Sequence, residues 1–108
     1  MANNQYDKST LHARISRAHA GEYLSSLRKD KGLTQRDVSE ELELKYYTFI
    51  SQVENGQGRL PPKLWVKTAR CLGVNIQEFS LKMLEFYDPH AFFAITKGEE
   101  TTEDMDTP

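Results

Sequence analysis

The stretch KYYTFISQVENGQGR, residues 45–59, sets two tyrosines, Phe49, Ile50 and Val53 among the polar side chains of Thr48, Ser51, Gln52 and Asn55. A strand would need alternation of apolar and polar residues, which fails at Phe49–Ile50. The i, i+1, i+4 spacing of Phe49, Ile50 and Val53 is one stripe of a helix. With that stripe turned inward, Thr48, Ser51 and Gln52 stand on the outer face, and Tyr46 and Tyr47 stand at the N-terminal turn. The stretch therefore reads as an amphipathic helix with a polar outer face.

Working outward, residues 33–45 (LTQRDVSEELELK) offer Thr34 as an N-cap with Asp37 three residues on, a capping box built with the shorter acid. Val38 and Leu42 give this second short helix its inner side. Upstream, Leu11, Ile15 and Ala18 recur at helical spacing, followed by Leu24, Leu27 and a terminal Gly32. That pattern is one helix interrupted at Gly21 or two helices. Downstream, NGQGRLPP is a turn-rich break. A fourth helix is expected from Pro62 to Leu72, closed by Gly73, and a fifth opens at Asn75 with Glu78 and runs through Tyr87 to stop before Pro89. HAFFAI adds a short apolar segment. The polar first eight residues and the acidic stretch from residue 97 are expected to be disordered.

Five short helices and no strand, in 108 residues with 38% hydrophobic and 28% charged content, suit one small all-α domain with a C-terminal helical extension. The net charge of -2 hides an asymmetry: residues 1–70 carry 12 Lys/Arg against 8 Asp/Glu, and residues 71–108 carry 2 against 8. A basic face with a separate acidic segment follows. The single Cys71 excludes an internal disulfide, and His12, His19 and His90 lack metal-ligand spacing. No cofactor is implied. Without a leader-like or membrane-length apolar run, a cytoplasmic address is expected. Paired carboxylates, an activated nucleophile and a phosphate-cradling glycine loop are all missing, GQGR being too short for the last, so an enzyme is not expected.

The run GEYLSSLRKDKGLTQRDVSEEL, followed by FISQVENGQGR and ARCLGV, resembles the XRE family of Cro/repressor-type helix-turn-helix domains over roughly residues 20–79. Leu33-Thr34-Gln35, Ile50-Ser51, Val53-Glu54-Asn55-Gly56 and Leu72-Gly73-Val74 carry the likeness together and in order. The resemblance implies that the third helix enters the DNA major groove while the second crosses the phosphate backbone. It assigns base reading to Tyr46, Tyr47, Thr48 and Gln52, to which Ser51 is added from the outer face. It assigns phosphate contact to Gln35 and to the loop residues Asn55, Gln57 and Arg59, and the positive charges of Arg36 and Lys45 join them. Between Gln35 and Ile50 the chain holds one residue more than the family spacing, and Glu43 stands where the family has a glycine in the left-handed turn. Either the second helix gains a residue or the link is longer. Glu54 is expected to pair within the domain, with Arg28 or another base, since a carboxylate facing DNA would be repelled.

The expected organisation is an N-terminal arm or extra helix (1–19), the helix-turn-helix domain (20–80), a dimerising extension (81–96) and an acidic tail (97–108). Arg14, Arg17 and the histidines suit an arm reaching along DNA. The alternative, slightly preferred, is an amphipathic helix packing Leu11 and Ile15 back onto the domain. One reader helix covers too few base pairs for useful specificity, so a homodimer on an inverted-repeat DNA operator is expected. Leu84, Phe86, Tyr87, Phe92, Phe93 and Ile95 are its candidate contact, with closure of the chain's own core as their other use. The functional expectation is a transcriptional regulator, chiefly a repressor, of prokaryotic or phage type. The rival is an antitoxin or interaction module that binds a protein partner through the C-terminal aromatic segment.

Overall fold

Gly21 does not interrupt the first helix. In the computed structural model, which describes residues 8–100, α1 runs unbroken from Lys8 to Asp30, 23 residues. A Cβ at Gly21 would lie 2.2 Å from the carbonyl oxygen of Glu54, so the glycine is a point of backbone contact between helices rather than a break. After α1 come α2 (Gln35–Glu41), α3 (Thr48–Glu54), a 3-10 turn (Pro62–Leu64), α4 (Trp65–Leu72), α5 (Ile76–Tyr87) and α6 (Pro89–Thr96). Among the described residues there are thus six α-helices, the sixth lying within the expected C-terminal extension. Among the described residues there is no strand. The expectations for residues 1–7 and 101–108 lie outside the described residues.

The caps explain the boundaries. Thr34 Oγ1 accepts from Asp37 N–H at 2.9 Å while Asp37 Oδ2 accepts from Thr34 N–H at 2.8 Å, a complete capping box. Asn75 Oδ1 accepts from Glu78 N–H at 2.8 Å at the head of α5, and Asp88 caps α6, where Pro89 takes the first position.

The ends of α1 to α4 share one closure, a pair of backbone bonds spanning five and three residues around a left-handed residue. For α1 these are Leu33 N–H to Arg28 O and Gly32 N–H to Lys29 O; for α3, Gln57 N–H to Gln52 O and Gly56 N–H to Val53 O; for α4, Val74 N–H to Ala69 O and Gly73 N–H to Arg70 O. In α2 the pair is Leu44 N–H to Ser39 O and Glu43 N–H to Glu40 O, and the left-handed residue is Glu43 at φ 58°. Glu43 therefore adopts the conformation expected of the family's glycine. The surplus residue accordingly lies after it, in a longer link to α3, and α2 keeps its length.

The core gathers Ala20 and Leu24 of α1, Val38, Leu42, Ile50 and Val53, Leu60, Ala69 and Leu72, and Phe79 and Met83 of α5. α1 packs across both α3 and α5, α4 lies on α5, and α6 packs against α5. Tyr23 of α1 stacks on Phe79 and tilts against Phe86. Helices α1 and α5 cross the expected boundaries at 19/20 and 80/81 without a break. One preference is corrected: Leu11 and Ile15 remain 49% and 45% exposed, so the first turns of α1 do not fold their apolar stripe back onto the domain.

Candidate nucleic-acid interface

Helix α3 turns Ile50 and Val53 into the core and half-buries Phe49, which leaves Thr48 and Gln52 exposed and Ser51 half-buried on the other side. Tyr46 and Tyr47, 63% and 49% exposed, project at its opening turn. Each ring carries a cation. Lys45 Nζ lies 5.4 Å from the Tyr46 centroid, and the guanidinium of Arg36 on α2 lies 4.9 Å from that of Tyr47. Arg36 of α2 and Lys45 of the link thus stand beside the two tyrosines that precede α3.

Glu54, the last residue of α3, ties three helices together. Arg28 of α1 donates Nε–H to Oε2 at 2.7 Å and Nη2–H to Oε1 at 3.0 Å, and Gln35 Nε2 donates to Oε1 at 2.9 Å. The remaining Arg28 nitrogen, Nη1, donates to Leu33 O at 2.8 Å. The hydrogen bond with Glu54 is the main cause that raises the Arg28 pKa. Glu54 is therefore paired inside the domain as expected. Gln35 is half-buried and has one amide proton on Glu54; a primary amide keeps a second for a phosphate.

The loop after α3 is held just as tightly. Gly56, at φ 78°, rests on α1, and a Cβ there would come within 3.0 Å of Ala18 Cα. Both backbone groups of Leu60 are occupied by side chains: its N–H donates to Tyr87 Oη at 3.0 Å, and its carbonyl accepts from Trp65 Nε1–H at 2.9 Å. Arg59 stacks over the Tyr87 ring at 4.8 Å. Burial pushes the Tyr87 hydroxyl up, against the opposing pulls of the Leu60 bond, Arg59 and Arg17. Asn55, Gln57 and Arg59 consequently stand exposed on a fixed turn. Tyr87 and Phe86, candidates for a contact between copies, are half-buried against Leu60 and Tyr23, whereas Ile95 on α6 is 71% exposed. The Leu60 clamp and the Gln35–Glu54 bond escaped the sequence reading, since neither has a local signature.

A helix-turn-helix family profile matches residues 24–79, which covers α2, the turn, α3 and the elements that pack on them. The chain belongs to the XRE-type helix-turn-helix family. This is a family of DNA-binding regulators of transcription. Within the matched stretch, α2 and α3 follow one another across the turn at Glu43. Comparison with curated proteins gives no match. Among solved structures the fold is similar to the restriction-modification controller protein C.AhdI from Aeromonas hydrophila, with a TM-score of 0.55 and 26% identity over 60% of this chain and 97% of that one. It is also similar to the clp gene regulator ClgR from C. glutamicum, with a TM-score of 0.54 and 25% identity over 63% of this chain and 87% of the other. No described helix of this helix-turn-helix protein is long and apolar enough to cross a membrane.

Proposed function

We propose that the protein is a transcriptional repressor that binds an inverted-repeat operator as a homodimer. The observation that carries this reading is the exposed, cation-flanked pair Tyr46 and Tyr47 at the head of a recognition helix whose outer face presents Thr48, Ser51 and Gln52. Gln52 and Thr48 read base edges, the tyrosines contact thymine methyl groups, sugars or phosphates, and Gln35, Arg36, Lys45, Asn55, Gln57 and Arg59 hold the backbone. Two copies supply the specificity one helix lacks, joined through α6, where Phe92 and Phe93 stack edge-on 5.4 Å apart and Ile95 is open, together with half-buried Leu84 of α5. On this reading the protein works in the cytoplasm, with its DNA. The regulatory titles of C.AhdI and ClgR agree with a gene-control role.

The same exposed α6 surface favours a second reading, an antitoxin or interaction module that caps a partner protein. Selection from a random-duplex pool at near-physiological salt separates the two. Enrichment of an inverted repeat with half-sites about one helical turn apart is the expected result. A folded protein that enriches nothing would leave the partner-binding reading in its place.

A further inference from the structure

The first three turns of α1 extend beyond the helix-turn-helix match, and of them the interface described so far uses only Ala18, beneath Gly56, and the charge of Arg17 near Tyr87. They lead up to the Asn55–Gln57 turn. Between them lies an open groove of about 600 Å³, lined by Leu11, Arg14, Ile15, Arg17 and Ala18 on one side and Asn55, Gly56 and Gln57 on the other. We propose that this groove is a second seat for the DNA phosphate backbone, with Arg14 and Arg17 as its phosphate-binding residues. The proposal rests on the DNA-binding reading above.

Helical geometry sets the arginines there. Arg14 and Arg17 fall seven and four residues before Gly21, and Arg28 falls seven after it, so all four lie along one side of α1. Lower on that side, Gly21 meets the Glu54 carbonyl and Arg28 meets its carboxylate. Higher up, α3 has ended, and Arg14 and Arg17 instead flank the turn whose Asn55 and Gln57 are already candidates for phosphate contact. The approach of Gly56 to Ala18 holds the two walls of the groove in fixed relation.

Charge names the occupant. Residues 8–21 contain Lys8, Arg14 and Arg17 and no Asp or Glu. Among the described residues neither Arg14 nor Arg17 forms an ion pair or donates a hydrogen bond, in contrast to Arg28. A second copy of this chain is the poorer occupant, because a two-fold contact would set the same arginines against one another with no acid between them. Leu11 and Ile15, exposed at the rim, suit the apolar faces of the sugars. Residues 8–20 extend the protein by ~20 Å, enough to lengthen its track along the backbone by several phosphates.

The experiment is fluorescence anisotropy of the full chain on a 30-base-pair duplex enriched from the random pool and on a scrambled duplex, from low to high salt. Arg14→Ala/Arg17→Ala should weaken binding to both duplexes by about tenfold or more and lower the log–log salt slope by about two per protomer. Its preference between the duplexes should not change. Arg14→Lys/Arg17→Lys should keep the slope, which separates lost charge from lost fold. An unchanged affinity and slope in the alanine variant would overturn the proposal while leaving the repressor reading intact, as would a drop to monomer mass by light scattering, which would assign the groove to a second copy. A wild-type chain that binds neither duplex would sink the repressor reading and this proposal with it.

Discussion

At Gly21 two opposing effects on one residue can be weighed. Alanine is the better helix former by about 1 kcal/mol, so a view confined to α1 expects Gly21→Ala to stabilise. The added Cβ would lie 2.2 Å from a backbone oxygen of α3, and backbone cannot swing aside. Overpacking of this kind costs about 1–3 kcal/mol or more, so net destabilisation in urea unfolding is the expected sign. Glu43 gives the reverse case. A non-glycine residue at φ 58° bears a left-handed strain of about 1–2 kcal/mol. Its exposed bond to Lys67, 3.2 Å long, returns little. Glu43→Gly is expected to raise stability by about 0.5–1 kcal/mol, seen as an upward shift of a few degrees in Tm. Arg28→Ala would leave Glu54 buried without its cation, and a loss of about 3–5 kcal/mol is expected in the same unfolding assay.

Helix by helix, the legible parts were those whose chemistry is local. Thr34 with Asp37, Asn75 with Glu78, Gly73 and Pro89 each mark a helix end within four residues of chain, and each end lies where those residues put it. The inward stripe of α3 was legible for the same reason. Gly21 was not, because the atom that requires it sits 33 positions away on another helix. Leu11 and Ile15 misled, because periodicity reveals an apolar stripe but not whether anything covers it. In the candidate site, Tyr46, Tyr47, Thr48 and Gln52 emerge together on one exposed surface. Phe86 and Tyr87 had two uses open to them, and only the third dimension shows that Tyr23 and Leu60 are among their contacts.

The α2 cap also makes a pH prediction. Asp37 accepts a hydrogen bond from the Thr34 backbone, which with the hydroxyl contact holds its pKa below the ordinary 3.8. A folded value below the unfolded one means that the contribution is complete above about pH 3.8 and is lost as pH falls through the folded value. Asp37→Asn should therefore flatten the acid limb of stability, as measured by urea midpoints between about pH 2 and pH 5.

For the whole molecule, the predictions concern assembly and binding. Phe92→Ala/Phe93→Ala should yield monomers by light scattering with the helical circular-dichroism signal retained, because α6 contributes no residue to the buried core. A variant that stays dimeric would move the contact elsewhere. Gln52→Ala should cost about 1–3 kcal/mol on the selected operator and relax the preference at one base position per half-site, measured by competition between point-substituted duplexes.

The indole of Trp65 adds one practical consequence. It is the chain's sole tryptophan, and its N–H is spent on Leu60, within the same segment that carries Arg59. The protein therefore carries its own optical gauge. Selective excitation of that indole reports on the Leu60 segment and the head of α4, with no label attached. If the loop tightens when a duplex docks, the emission maximum or its accessibility to iodide will change in step with occupancy, and stopped-flow mixing can time that tightening apart from the first encounter.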